Sequence, residues 1–366
     1  MSKIRASGER VFALDARLVK GTSTGDSTYW TSLVEAMVDQ EHSARVLLFS
    51  DVEKPSDLQL GPRFQWVFAP AKSSRWWSLV TFPMLARSLG ADVIHTQYSL
   101  SPLVGNRGVT TIHDISFFIG PEWFKPKDRF ILSKTVPGAV RRAAKVITVS
   151  ETSRKEIEKY MPAAVGKVAV TPLASPSWIQ RVDRSIALEA VRAKLGVDAP
   201  FILTVGTRWP RKNMQLAVDA VSGLDGRFPH QLVVTGKAGW GEAGLGSRGR
   251  SVGYVDADTL SCLYSAAELY LAPSRHEGFG IPLMEAFRCG CPVVCSAGGA
   301  LPEVAGDAGI VETSWEASDW AQAISHLLDD PSKLDSLRSR GLERERLFTW
   351  AETARRTLEV YREVAG

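Results

Sequence analysis

Long apolar runs are missing from these 366 residues: no stretch of roughly 18 uncharged apolar positions occurs, so no transmembrane helix is expected. The opening MSKIRASGERVFALDARLVKG lacks the apolar core of a signal peptide, which makes a cytoplasmic location the expectation. Cysteine is scarce. Cys262, Cys289, Cys291 and Cys295 form no C-x2-C pair and no histidine stands at matching spacing, so free buried thiols are expected and a zinc site is not. Neither half of the chain follows its first strand with G-x-G-x-x-G, which counts against a dinucleotide-dependent oxidoreductase. The expected partners of a diphosphate here are cations and backbone N–H groups, so no metal or other cofactor is expected. A net charge of +4 is too small an excess to imply a nucleic-acid partner, though it suits phosphorylated ligands or an anionic membrane surface.

What is present is an ordinary globular composition, 45% hydrophobic and 23% charged, in a chain long enough for two domains. Strand-like runs at RVFALDAR (10–17), ARVLLFS (44–50), FQWVFAP (64–70), ADVIHTQ (91–97), GVTTIHD (108–114) and AKVITVS (144–150) alternate with helical patterns, the first helix beginning at about Tyr29. The alternation restarts at PFILTVGT (200–207). It continues through HQLVVTG (230–236), SVGYV (251–255), LYLAPS (269–274), PVVCS (292–296) and AGIVE (308–312). Strands alternating with helices predict parallel, doubly wound sheets, hence an α/β chain of two Rossmann-like domains joined near 175–195 with a cleft between them. The expected boundaries are 1–178, 179–346 and an amphipathic helix in 347–366.

Residues 274–304, SRHEGFGIPLMEAFRCGCPVVCSAGGALPEV, carry the most information. Glu277 stands eight residues before Glu285, with Gly278, Phe279, Gly280, Ile281 and Pro282 between them. Pro282 suits a first helical turn and Gly290 a C-terminal stop, which predicts Glu285 in the first turn. Gly278 and Gly280 let backbone approach a ligand, and a helix N-terminus favours a phosphate. Carboxylates beside a phosphate cradle suit hydroxyl-rich ligands. A solvated glutamate pair on an ordinary strand–loop–helix is the bland alternative. In the same half, Arg211 and Lys212 of VGTRWPRKN follow its first strand, and two cations there suit a diphosphate.

E-x7-E with its helix, A-x-x-C-G-x-P-V and L-P-E-V together resemble the retaining glycosyltransferase family 4, in its mannosyltransferase-like branch. The resemblance implies the GT-B fold, with a C-terminal helix (348–364) returning to the N-terminal domain. That domain would bind acceptor and the second would bind the nucleotide sugar. In the family's G-x-x-x-x-R-K-N pattern, which begins here at Gly206, Arg211 and Lys212 would contact the donor diphosphate and stabilise the leaving group. His113 would lie beside the transferred sugar, with Asp114 orienting it or capping the next loop. Glu277 would meet sugar hydroxyls or orient its loop, and Glu285 the ribose. Gly236 and Lys237 resemble positions near the nucleotide, and 253–260 would border the base. Gly25 would let donor or acceptor approach, although GTSTGDSTYW (21–30) departs from the commoner G-[IV]-G-R-Y, with Asp26 in place of an uncharged or basic residue. His95 reads as structural, while Arg208 and His276 remain open.

The expected reaction is metal-independent, retaining transfer of a hexose, mannose from GDP-mannose, to a hydroxyl of a glycan or lipid-linked acceptor. A UDP- or dTDP-sugar donor, a nucleotide-sugar 2-epimerase and a non-catalytic nucleotide-sugar-binding protein are the rival readings. Trp76 and Trp77 in RWWSLVTFPMLARSL (75–89), and a basic run from Lys125 to Lys145, add an expected peripheral contact with the inner face of the plasma membrane. A core-facing tryptophan pair is the alternative.

Overall fold

The computed structural model describes residues 9–21, 25–198, 200–240 and 244–366. Residues 22–24 of the glycine-rich loop lie outside them.

Two compact units emerge. The first holds the chain up to Ile119, Lys125–Leu173 and Trp350–Gly366; the second holds Gly120–Phe124 and Ala174–Thr349. In the first unit, strands β1 (Val11–Asp15), β2 (Arg45–Ser50), β3 (Phe64–Phe68), β4 (Val93–Gln97), β5 (Gly108–Thr111), β6 (Lys145–Thr148) and β7 (Val168–Val170) form one sheet. Its order is β3-β2-β1-β4-β5-β6-β7, and every pairing is parallel. In the second, β8 (Phe201–Val205), β9 (Gln231–Thr235), β10 (Gly249–Gly253), β11 (Leu269–Ala272), β12 (Val293–Ser296) and β13 (Gly309–Glu312) pair in parallel as β10-β9-β8-β11-β12-β13. Central strands such as FILTV and LYLA are continuous apolar runs because helices cover both faces. In each sheet the strand order reverses once, between β1 and β4 and between β8 and β11. Ligands of open α/β sheets sit at such a switch point, beyond the carboxyl ends of the strands.

The C-terminal helix Trp350–Ala365 packs on the helix Gly25–Val38 and so belongs to the first unit, burying Ala354, Thr357, Leu358, Val360 and Tyr361. Tyr361 pins it to the sheet: its hydroxyl lies 2.5 Å from Nδ1 of His95, whose Nε2 lies 2.8 Å from the Thr111 hydroxyl. Tyr29 adds a contact of 2.9 Å to the same hydroxyl. Burial, helped by His113, pushes His95 down to about 3, so the ring is neutral and acts as a structural relay.

Several elements depart from the sequence expectation. The first helix begins at Gly25, one turn before Tyr29. The segment expected to join the two halves contains a regular helix, Arg184–Leu195, capped by Asp183, whose carboxylate accepts from the Ser185 and Ile186 amides. Strand β7 and the second half's last helices, Ala317–Leu328 and Pro331–Glu345, were not anticipated, while β10 ends at Gly253 rather than 255. The tryptophan segment is one continuous helix, Ser74–Ser88, with a π-helical turn over Trp77–Thr81 inside it. Trp77 is buried and donates to the Ala69 carbonyl at 2.7 Å, whereas Trp76 is exposed. Among the described residues no helix is long and apolar enough to cross a membrane.

Candidate active site

The switch point of the second sheet gathers the residues singled out above. Beyond β8 the chain passes Gly206 and makes a 3-10 turn, Pro210–Lys212, that ends at Asn213 in the left-handed region with φ 50°. Beyond β11 it passes Ser274 and reaches Glu277 before the helix Ile281–Arg288. The two loops are tied together, since the Arg275 amide donates to the Arg211 carbonyl at 2.8 Å. A third loop, Ala297–Ala300 after β12, backs the acidic one. The Ala300 amide donates to the Glu277 carbonyl at 2.8 Å, and a Cβ on Gly299 would sit 2.3 Å from that same oxygen. Only glycine fits so close an approach, which explains the Gly-Gly of CSAGGA.

Glu277 is the hub. Its Oε1 accepts from Lys212 Nζ at 2.6 Å and from the Ser274 hydroxyl at 2.6 Å, and its Oε2 accepts from Arg211 Nη1 at 2.8 Å. Arg211 also donates to the His276 carbonyl. Burial alone would raise the Glu277 carboxyl, but Arg211 and Lys212 outweigh it and hold the group well below the usual carboxylate range. Both carboxylate oxygens are therefore engaged with protein, and the group aims the two cations.

Glu285 sits differently. It is the fifth residue of Ile281–Arg288, in the second turn rather than the first, because the helix starts only after Gly280 at φ 102°. Its side chain is buried, and burial pushes its pKa up to about 7, a rise that Tyr264 and then Lys212 reduce. The buried Tyr264 hydroxyl donates to Oε2 at 2.9 Å. Pro282 stands in the first turn and Gly290 follows the helix end at φ 71°, both as expected.

Phe279, which the resemblance places in the donor-binding loop, packs its ring edge-on against Phe348 with centroids 5.7 Å apart. Gly278 and Gly280 are buried beside it, and Ile281 opens the helix. Gly206 and Gly236, the glycines on the donor side in the resemblance, also approach each other: a Cβ on Gly236 would lie 2.2 Å from the Gly206 carbonyl oxygen. Lys237 lies 5.7 Å from the ring centroid of the exposed Tyr254. Ser274 and Tyr264 escaped sequence reasoning, since a lone serine and a helix tyrosine carry no spacing signal.

Gly25, His113 and Asp114 belong to the first unit. Gly25 is the exposed first residue of its helix, and a Cβ there would meet open space. β5 stops at Thr111, so His113 and Asp114 stand beyond the strand rather than in it. His113 Nε2 lies 3.8 Å from Asp26 Oδ1, and its ring packs edge-on against Tyr29 at 4.7 Å. Burial lowers its pKa, against Asp26 and Asp114. Asp114 Oδ1 accepts from the Ser116 amide at 2.8 Å, capping the short helix Ser116–Ile119. No group of three or more His, Cys, Asp or Glu side chains suited to a metal occurs among the described residues.

Comparison with known proteins follows the same division. Residues 24–174 match the family described as Glycosyltransferase Family 4, and residues 199–330 match Glycosyl transferases group 1. The O-antigen chain mannosyltransferase B of Escherichia coli is 35% identical over 269 residues, covering 70% of this chain and 70% of its own. Among solved structures, sucrose-phosphate synthase from Thermosynechococcus elongatus superposes with TM-score 0.76 at 23% identity, covering 97% of this chain and 99% of that one. Anabaena Alr3699/HepE in complex with UDP-glucose gives 0.70 at 18%, covering 97% and 99%.

Proposed function

The chain belongs to glycosyltransferase family 4 and has the GT-B fold, and from that premise we propose that it is a retaining, metal-independent hexosyltransferase. The donor in this reading is a nucleotide-diphosphate sugar, best matched by GDP-mannose, and the acceptor is a hydroxyl of a glycan or lipid-linked glycan. The observation that carries it is the Arg211–Lys212–Glu277 cluster at the switch point of the second sheet.

The chemistry follows from the charges. As the bond from the anomeric carbon to the diphosphate breaks, negative charge grows on the leaving oxygens. Arg211 can hold two of them and Lys212 acts as a point charge. Glu277 keeps both cations fixed in place, so little reorganisation is needed when charge develops. The acceptor hydroxyl attacks the face the diphosphate leaves and passes its proton to a departing diphosphate oxygen, and the configuration is retained. In this scheme two cations do what a metal does elsewhere. His113, uncharged at neutral pH, contacts the transferred sugar, and Glu285 accepts from the ribose.

Mannose is preferred because a relative at 35% identity is named a mannosyltransferase. A UDP-sugar donor is the second reading, favoured by the UDP-glucose complex of the Anabaena neighbour. The exposed Trp76, Leu79 and Met84, with the basic helix Pro126–Arg142, support a peripheral membrane contact and thus a lipid-linked acceptor.

Incubation with a panel of nucleotide sugars, with and without acceptors and EDTA, tests all of this. Release of nucleoside diphosphate that survives EDTA, and a product of the donor's anomeric configuration by NMR, are expected. No release from any donor would remove the catalytic reading. Loss in EDTA restored by Mn²⁺ would remove metal independence, and an inverted product would remove retention.

A further inference from the structure

We propose that Tyr264 is a positioning residue for donor binding: it holds one oxygen of Glu285 and leaves the other for the nucleotide's ribose. The inference rests on the reading of Glu285 as a ribose acceptor, and it assigns a role to a side chain with no spacing signal.

Tyr264 stands on the helix Ala257–Ala266, which packs against the helix carrying Glu285. Its ring is fully buried and fixed edge-on against Tyr270, with centroids 5.6 Å apart. A phenol so held has one place to send its proton, and it donates to Glu285 Oε2 at 2.9 Å. That bond fixes the rotation of the carboxylate. Oε1 takes no hydrogen bond from a described residue and is not among the sealed side-chain atoms left without a partner, so it keeps contact with solvent.

The groups around Glu285 make the hydroxyl matter. From the strand below comes Tyr270, from the β8 loop Lys212, from its own helix end Cys289, and from the packed helix Tyr264. Only Lys212 among them is a cation, and it is paired to Glu277. A buried carboxylate with so little compensation is easily protonated, and a protonated carboxyl is a poorer acceptor for ribose hydroxyls. Tyr264 therefore also favours the ionised form of the acceptor. Deleting its hydroxyl removes a hydrogen bond to the charged form and moves the titration upward.

The test is calorimetric binding of GDP and of UDP, whichever the wild-type chain binds, between about pH 6 and pH 9. In Tyr264→Phe affinity should be reduced at the alkaline end, where the carboxylate is ionised but no longer held, and the further loss on acidification should begin about one pH unit or more higher than in wild type. A purely structural tyrosine would lower affinity at every pH alike. Site-specific 3-fluorotyrosine at position 264, a stronger donor of the same shape, should move the midpoint downward, and it serves if Tyr264→Phe does not fold. Midpoints that coincide in both variants and wild type overturn the proposal. Glu285→Gln separates the two levels. Wild-type affinity in that variant overturns the ribose reading itself, whereas weakened binding there with unmoved midpoints at position 264 overturns the role of Tyr264 alone.

Discussion

Glu285 is a carboxyl whose pKa burial lifts from 4.5 to about 7, which makes it a cost to the fold at neutral pH. Between those values the folded chain binds a proton that the unfolded chain has lost, so stability falls as pH rises through this window and levels off above it. The difference corresponds to roughly 3 kcal/mol. Glu285→Gln should therefore unfold later than wild type at pH 8, with the gain shrinking to nothing below about pH 4.5; thermal melts across that range check it. A gain that does not vary with pH would contradict the buried-carboxylate account. The cations at the same site act on the reaction rather than the fold. Arg211→Ala or Lys212→Ala should each lower turnover about a hundredfold, the usual loss for one preorganised electrostatic contact, while circular dichroism stays native. Wild-type turnover in both would end the assignment. Glu277→Gln removes the anion that aims this pair and leaves the cations themselves. Turnover should fall while nucleoside diphosphate affinity, measured by calorimetry, stays close to wild type.

At the scale of elements, the sequence was most readable where one local pattern decides the outcome. Ile281–Arg288 could be bounded from Pro282 and Gly290 because proline at a helix start and glycine past its end are local backbone effects. The central strands of both sheets read well because a strand buried on both faces must be apolar throughout, whereas the half-exposed edge strands β7 and β10 did not. Contacts between elements were not readable. The partner of the Phe279 ring is Phe348, far along the chain, and no local pattern shows it. Gly206 and Gly236 resemble glycines beside a nucleotide, and no sequence signal shows the second constraint on them, that two loop backbones cross at that point. Gly236→Ala should therefore damage the fold around β8 and β9, both through that collision and through its φ of 133°. A loss of melting temperature with a parallel loss of activity is expected. A variant that melts like wild type but no longer binds nucleotide would instead return Gly236 to the ligand.

At the scale of the whole molecule, the chain builds its first unit from two distant segments, because Trp350–Gly366 returns to it after the second unit is complete. The returning helix brings buried Leu358, Val360 and Tyr361 to the first unit, and each such side chain contributes about 1.5–3 kcal/mol on burial. Tyr361 also partners His95 Nδ1, and a buried polar atom left without a partner costs roughly 1–3 kcal/mol more. The total rivals the whole stability of a typical domain, about 5–15 kcal/mol. Truncation after Thr349 should therefore abolish or sharply lower the unfolding transition of the first unit in calorimetry. The second unit holds the Arg211–Lys212–Glu277 cluster and loses nothing in the truncation, so its transition should persist. Tyr361→Phe is the milder version, since it keeps the ring and removes only the partner of His95. It should lower the same transition by a few degrees and leave the other in place. If truncation instead lowers the second unit's transition and spares the first, the helix does not stabilise the unit it packs on, and the His95–Tyr361 tether carries no weight.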